Sequence, residues 1–294
     1  MKKKPRIKKH SSRRGGNAPE GKSAAAAGES APSATGRSSS AAKKSSSSAA
    51  GESAPPAAGE FPPSACLTVV ATPIGNLSDF SPRGREALKS ADVLAAEDTR
   101  RARRLLAGCG LATPPVLFSY RAENETAAAR RVTAHLAAGR RVALISDAGM
   151  PLVSDPGAAA VAEAARRGVR VEVLPGPSAV TAAVALSGFG GKGFVFLGFL
   201  PLRAARIRRT FAGAAEFSGP LVMFENPRRL ARSLRLGAEV LGERRGVICF
   251  EMSKRFEREW RGVLGALAER AEGCEGDLPG EATLVIAGAA DSEE

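Results

Sequence analysis

RVALISDAGMPLVSDPG, residues 141–157, is the stretch on which the reading of the fold turns. Val142, Ala143, Leu144 and Ile145 run on without a polar break, as in a strand covered on both faces of a sheet. The rest is rich in Gly, Pro, Ser and Asp, the texture of a loop at a strand end. Asp155 before Pro156 and Gly157 reads as a helix N-cap with proline in the first turn. An amphipathic stretch over 157–167 follows and stops at Gly168, the usual glycine beyond a helix C-terminus.

The same strand–loop–helix pattern recurs on either side. LTVVA (67–71), DVLAAE (92–97) and VRVEVLP (169–175) are short, apolar and β-branched, and a second helical stretch over 123–138 stops at Gly139. This alternation predicts a mainly parallel α/β sheet. PGPS (175–178) punctuates the chain as a hinge would. Beyond it lie FVFLGFL (194–200), PLVMFE (220–225), GVICFEMS (246–253) and EATLVIAG (281–288). The last follows Gly276, Pro279 and Gly280, as an antiparallel edge or hairpin strand would. The expected architecture is an α/β lobe over 65–176 with a mainly parallel sheet and a second over 177–290 with a mixed one. A disordered basic arm over 1–64 precedes them, and an acidic tail over 291–294 follows.

Composition supports the arm and removes several chemistries. The 294 residues carry 43 Lys+Arg against 30 Asp+Glu, and 12 of the basic but only 4 of the acidic residues lie in the first 64. Beyond Met1, that stretch has only Ile7 and Phe61 as large apolar side chains, too little to offset the entropy of ordering. Its opening MKKKPRIKK reads as a solvated charge run, as a sequence-independent hold on nucleic acid, or as part of an organellar transit peptide. Two histidines, His10 and His135, leave no His-rich metal centre. Cys66, Cys109, Cys249 and Cys274 form no C-x-x-C pair. No apolar run reaches the roughly 20 residues that span a bilayer, so the expectation is a cytoplasmic protein with reduced thiols, no membrane partner and no metal.

The usual nucleotide signatures are misplaced or missing. Gly188, Gly190 and Gly193 match G-x-G-x-x-G but follow a helix and precede a strand, the reverse of the dinucleotide fingerprint. No P-loop exists. What remains is a set of strand-end loops: ATPIGNLSD, AEDTRR, SDAGMPLVSDPG and PGPS. In an open α/β sheet such loops share the crevice beyond the carboxyl ends of the strands, where ligands bind.

ATPIGNLSD, AAEDTRR, ALISDAGMPLVSDPG, LPGPSA and GFLP resemble, in order and spacing, the tetrapyrrole-methylase-like family of S-adenosylmethionine-dependent methyltransferases. Within it they are most similar to the branch that methylates small-subunit ribosomal RNA. The resemblance covers residues 65–290 and not the arm. It implies a two-lobed homodimeric α/β fold, S-adenosylmethionine in the cleft between lobes, and 2′-O-methylation of a cytidine ribose in the decoding region. The partner it implies is small-subunit rRNA or the assembled small ribosomal subunit. Carried onto this sequence, the donor-binding residues are Pro73, Gly75, Ser146, Asp147, Ala148, Gly149, Pro175, Gly176 and Ser178, with Glu225 and Thr283–Leu284 as further positions. The sequence has Asn226-Pro227 where a Ser-Thr or Ser-Pro pair is usual, and 119–125 is less His-rich than the family pattern.

Methyl transfer to a ribose hydroxyl needs alignment of the acceptor oxygen and a nearby proton acceptor. Glu97, Asp98 and Asp147 are the carboxylates at strand ends, and Asp98 is the expected base, with capping of a helix or pairing with Arg100 as its other roles. Arg100, Arg101, Arg103 and Arg104 beside it, and Arg206, Arg208 and Arg209 after GFLP, are expected to meet RNA phosphates. Arg228, Arg229, Arg232 and Arg235 form a third cluster. The same fold could instead methylate a small tetrapyrrole, which predicts a more enclosed and less basic cleft.

Overall fold

A computed structural model describes residues 61–190, 193–274, 278 and 280–289. The expectations for residues 1–60 and for the tail over 291–294 lie outside them. The first sheet is built from β1 (Cys66–Val70), β2 (Val93–Ala96), β3 (Val116–Ser119), β4 (Arg141–Ile145) and β5 (Arg170–Leu174), in the order β3-β2-β4-β1-β5, all parallel. Its helices are α1 (Pro82–Ser90), α2 (Thr99–Gly108), α3 (Glu125–Ala137) and α4 (Ala158–Arg166).

Both faces of this sheet are covered, which is why its central strands read as unbroken apolar runs. On one face Val142 and Leu144 of β4 pack with Val132 and Leu136 of α3 and with Ala160 and Ala164 of α4. On the other face Ala143 and Ile145 meet Leu88 of α1 and Ala102 and Leu106 of α2. Ser81 caps α1 by accepting from the Gly84 amide at 3.0 Å, with Pro82 at the first helical position. Gly139 and Gly168, at φ of 72° and 70°, end α3 and α4 as expected.

Two expectations for the first lobe need correction. Residues 61–64, assigned to the arm, belong to the first lobe. Phe61 packs on its core, and the Ser64 hydroxyl donates to the Gly139 carbonyl at 3.2 Å. Nor does Asp155 cap α4. The N-cap is Gly157, at φ 137°, and the exposed amides are satisfied from α3 instead, where Glu125 Oε1 accepts from Gly157 N at 3.0 Å and Ala159 N at 3.3 Å. A carboxylate at a helix N-terminus is favourable whatever its place in the sequence, so a tertiary neighbour took over the cap and freed Asp155.

The second sheet has the order β6-β7-β10-β8-β9, formed by β6 (Val195–Phe199), β7 (Leu221–Glu225), β8 (Arg245–Phe250), β9 (Arg258–Val263) and β10 (Ala282–Ile286). β6 and β7 are parallel, and the other pairings are antiparallel. Helices α6 (Ala204–Ala214), α7 (Leu230–Leu241) and α8 (Leu264–Glu272) cover one face around Phe211, Leu234, Phe250 and Trp260, and α5 (Ala179–Ser187) covers the other with Val180 and Ala183. β10 is antiparallel as expected, but it is neither an edge nor a hairpin strand: it pairs with β7 and β8 and is buried throughout. The edges are β6 and β9, and the sequence of β9, REWRGV, buries only Trp260 fully.

Gly157→Ala tests the loop that ends at α4. A Cβ there would stand 2.9 Å from Leu144 Cδ2 on a backbone that L-residues rarely adopt. The substitution should cost about 2–4 kcal/mol in urea unfolding of the full chain; a loss under about 0.5 kcal/mol would mean that the loop relaxes freely.

Candidate functional site: the cleft between the sheets

β1 and β4 lie side by side, yet their following helices α1 and α4 pack on opposite faces. Neighbouring parallel strands whose connections diverge leave a crevice at their carboxyl ends. The loops leaving this crevice are tied together. Thr72 N donates to the Gly149 carbonyl at 2.8 Å, and Gly149 N donates to the Thr72 carbonyl at 3.0 Å. Gly149 does this at φ 78°, a glycine conformation. The loop after β5 closes in at Gly176, where a Cβ would come within 2.9 Å of Ala71 Cβ.

Next to this tie the ends of β2 and β4 clasp each other through their acids. Asp98 N donates to Asp147 Oδ1 at 3.0 Å, and Asp147 N donates to Glu97 Oε2 at 3.2 Å. Glu97, Asp147 and Asp155 all line the cleft. Burial raises the Glu97 carboxyl above the ordinary range, and the neighbouring Asp147 charge adds to this. Asp155 is pushed up to about 6, first by burial and then by the charge of Glu97, with the Ser146 hydroxyl pulling the other way. Arg101 supplies the opposing charge, its Nε 3.4 Å from Asp147 Oδ2.

Asp98, the expected base, is put to another use. It caps α2, with Oδ1 accepting from Arg100 N at 2.7 Å, while Oδ2 faces the Arg100 guanidinium at 3.3 Å. Those bonds hold its carboxyl down at about 2, and its side chain does not line the cleft. A carboxylate that is already capped and paired is a weak proton acceptor.

The opposite wall comes from the second sheet. A register shift in β6, with Gly198 at φ 66°, turns Phe199 toward the cleft, where its ring lies 5.2 Å from that of Phe224. Glu225, at the end of β7, is fully buried at its side chain and well partnered. It accepts from Asn226 N at 2.6 Å, from Arg229 Nε at 2.8 Å and from the Ser233 hydroxyl. Arg229 continues to the Leu200 carbonyl at 2.6 Å. The chain after β8 crosses back to the first lobe, where the Ser253 hydroxyl donates to Asp79 Oδ2 at 2.7 Å. A Cβ on Gly75 would collide with Met252 O at 2.9 Å.

The cleft so formed has a volume of about 450 Å³. Of the expected donor-binding residues, Asp147, Ala148, Gly149 and Ser178 line it, together with Glu225 and Thr283. Pro73 and Gly75 line an adjoining groove. Ser146 is buried behind the loop, and Pro175 and Gly176 are exposed and shape the turn rather than face the cavity. Arg101 reaches the cleft and Arg104 the groove; Arg100 and Arg103 are exposed on the same helix. Arg206, Arg208 and Arg209 are not brought to the site: they lie on the solvent side of α6, with Arg208 paired to Glu239. In the third cluster, Arg229 holds Glu225 and Arg235 is paired with Glu272. Sequence reasoning missed Asp155, Phe199, Phe224 and Lys254. For Asp155 the signal was its place in the same strand-end loop as Asp147.

The model of the family of tetrapyrrole (corrin/porphyrin) methylases matches residues 66–268. The chain belongs to this family. Among curated proteins it is 40% identical over 228 residues to ribosomal RNA small subunit methyltransferase I of Xylella fastidiosa, covering 77% of this chain and 83% of that one. It is 40% identical to the protein of that name from Thermotoga maritima, over 76% of this chain and 98% of the relative. For that of Mycobacterium tuberculosis the figures are 45%, 79% and 80%. Among solved structures, the cobalamin biosynthetic enzyme cobalt precorrin-4 methyltransferase superposes with a TM-score of 0.58 at 14% identity, over 76% of this chain and 95% of that one. Uroporphyrin-III C-methyltransferase from Thermus thermophilus gives 0.54 at 21%, over 76% and 96%. These structural likenesses bear on the fold.

Because Asp155 sits near 6 in the folded protein against 3.8 in the open chain, the folded state holds this proton more tightly. Its contribution to stability is fully present below about pH 4 and is lost as the pH rises through 6. Asp155→Asn should therefore be nearly neutral at pH 4 and stabilising by about 1–2 kcal/mol at pH 7.5 in urea titrations. An equal effect at both values would show that Asp155 is not desolvated.

Proposed function

We propose that the protein is an S-adenosylmethionine-dependent methyltransferase of small-subunit ribosomal RNA, and that its acceptor is the 2′-hydroxyl of a cytidine ribose in the decoding region. The observation that carries the reading is the shared name of relatives matching most of the chain at 40–45% identity. The cleft is compatible with it. Val180, Phe199 and Phe224 offer an apolar wall for a flat base, while Ser178 and Thr283 offer polar side chains for a ribose and an amino-acid end. Its volume of about 450 Å³ lies in the range of small-molecule sites. Asp147, Ala148, Gly149 and Ser178 are the proposed donor contacts, with Ser146, Pro175 and Gly176 acting through the shape of their loops.

S-adenosylmethionine supplies an electrophilic methyl group when bound. The chain's task is to align the acceptor oxygen and remove its proton. Glu97 and Asp155, desolvated in the cleft with raised carboxyls, are the proposed proton acceptors in place of Asp98, because a more basic carboxylate is the better general base. Arg101 and its neighbours on α2 face the RNA. The homodimer implied by the resemblance belongs to this proposal as well. Arg101 and Arg104 at the mouth of the cleft suit an anionic acceptor such as RNA.

The test is methyl transfer from labelled S-adenosylmethionine to unmethylated small subunits, naked rRNA or a tetrapyrrole precursor. Label in a ribose of the rRNA is the expected result; label only in the tetrapyrrole overturns it. Asp155→Asn and Glu97→Gln should lower kcat about 10²–10³-fold with donor affinity retained, and Asp98→Asn only a few-fold. Wild-type kcat should fall as the pH drops below about 6, where Asp155 takes up its proton.

A further inference from the structure

A shallower groove of about 300 Å³ opens off the cleft, sharing Arg101, Asp147 and Glu281 with it. Arg104 of α2 and Lys254, from the loop between β8 and β9, complete its polar lining. Three cations from two lobes thus meet in one groove. Its two carboxylates are already engaged. Asp147 accepts from Asp98 N and meets Arg101, and Glu281 is 3.1 Å from Lys254 Nζ.

The cations keep unused donors. Arg104 is exposed, and its side chain has no hydrogen bond or ion pair among the described residues. Arg101, with its side chain 58% exposed, meets Asp147 through Nε, which leaves the outer edge of its guanidinium to solvent. The Lys254 ammonium has three donors and gives two of them to Glu251 and Glu281. Lys254 is also held in place. Its stem lies where a Cβ on Gly75 would meet Lys254 Cγ at 2.4 Å, and the adjacent Ser253 is bonded to Asp79.

An acceptor ribose in the cleft carries a phosphodiester on its next covalent link, so the nearest charge on the substrate falls just outside the cleft. We propose that this groove is the subsite for the phosphodiester flanking the acceptor ribose, with Arg101, Arg104 and Lys254 as its cations. The assignment rests on the RNA-acceptor reading above. Arginine forks take phosphate oxygens bidentately, and a lysine held by neighbours serves as a fixed point charge. Lys254 gives the second lobe a direct part in holding the acceptor.

The experiment uses the full chain and unmethylated small subunits, with wild type, Arg104→Gln, Lys254→Gln and the charge-retaining Lys254→Arg. Arg130→Gln, on the exposed side of α3, is the control. Three quantities are read: KM and kcat for the subunit, Kd for S-adenosylmethionine by calorimetry, and the salt dependence of binding to a single-stranded RNA oligonucleotide. Each neutralising variant should raise the subunit KM about tenfold and lower the salt slope by about one, with donor Kd unchanged. Lys254→Arg should restore KM to within about threefold, and Arg130→Gln should match wild type. If wild type labels rRNA while KM and salt slope stay put in both neutralising variants, the groove is not a phosphate subsite. If donor Kd weakens instead, the groove holds the donor's carboxylate and the proposal falls. If wild type neither labels nor binds RNA, the failure is that of the RNA reading itself, and the subsite falls with it.

Discussion

Parallel β1 and β4 pair along their length and then part, one leading to a helix on each face of the sheet. The backbone beyond their ends loses its ladder partners just where the chain must turn. It recovers part of them by the isolated pairing of Thr72 with Gly149. Every other feature of the cleft is measured from that pairing. The SDAG loop is tied to the end of β1, the turn at Gly176 is pressed onto Ala71, and the ends of β2 and β4 are close enough for their acids to accept from each other's backbone. A glycine at φ 78° lets the pairing form, which accounts for Gly149 without appeal to any ligand.

The electrostatics of the site run against what the folded state alone would choose. Glu97 and Asp155 are held with raised carboxyls in a partly buried cleft, where burial is joined by the Asp147 charge at Glu97 and by the Glu97 charge at Asp155. Across from them α2 places Arg100, Arg101, Arg103 and Arg104 in its first two turns with no acid in the first. Cations are disfavoured at that end of a helix, and like charges three or four residues apart repel. Asp98 as the cap and Asp147 beside Arg101 offset part of this. Such local conflicts in an otherwise consistent fold gather at functional sites. The Glu225–Arg229 pair is of another kind: with the Glu225 side chain buried and both its oxygens bonded, it joins the ends of β6 and β7 to α7 in the cleft wall.

Where the sequence reading succeeded, it relied on local rules. Strands buried on both faces appear as apolar runs, and the glycines after α3 and α4 end those helices because only an αL residue fits there. It failed where a partner distant in sequence changed a residue's role. Asp155 looks like a cap within SDPG, yet Glu125 reached the same amides first. β10 follows a glycine-rich loop like an edge strand, yet it is inserted between β7 and β8, while the exposed, polar REWRGV went unread as one of the two edges.

By itself the sequence determined the α/β class, the parallel first sheet and the four strand-end loops from which the site is built, because each follows from hydrophobic periodicity and turn chemistry within a short window. The tertiary structure alone decided which acid caps and which is left desolvated. It likewise decided which arginines reach the cleft and where Lys254 meets the first lobe. Proton affinity and charge pairing depend on distances between groups tens to hundreds of residues apart, as with Asp79 and Ser253. Those distances exist only once both sheets are packed.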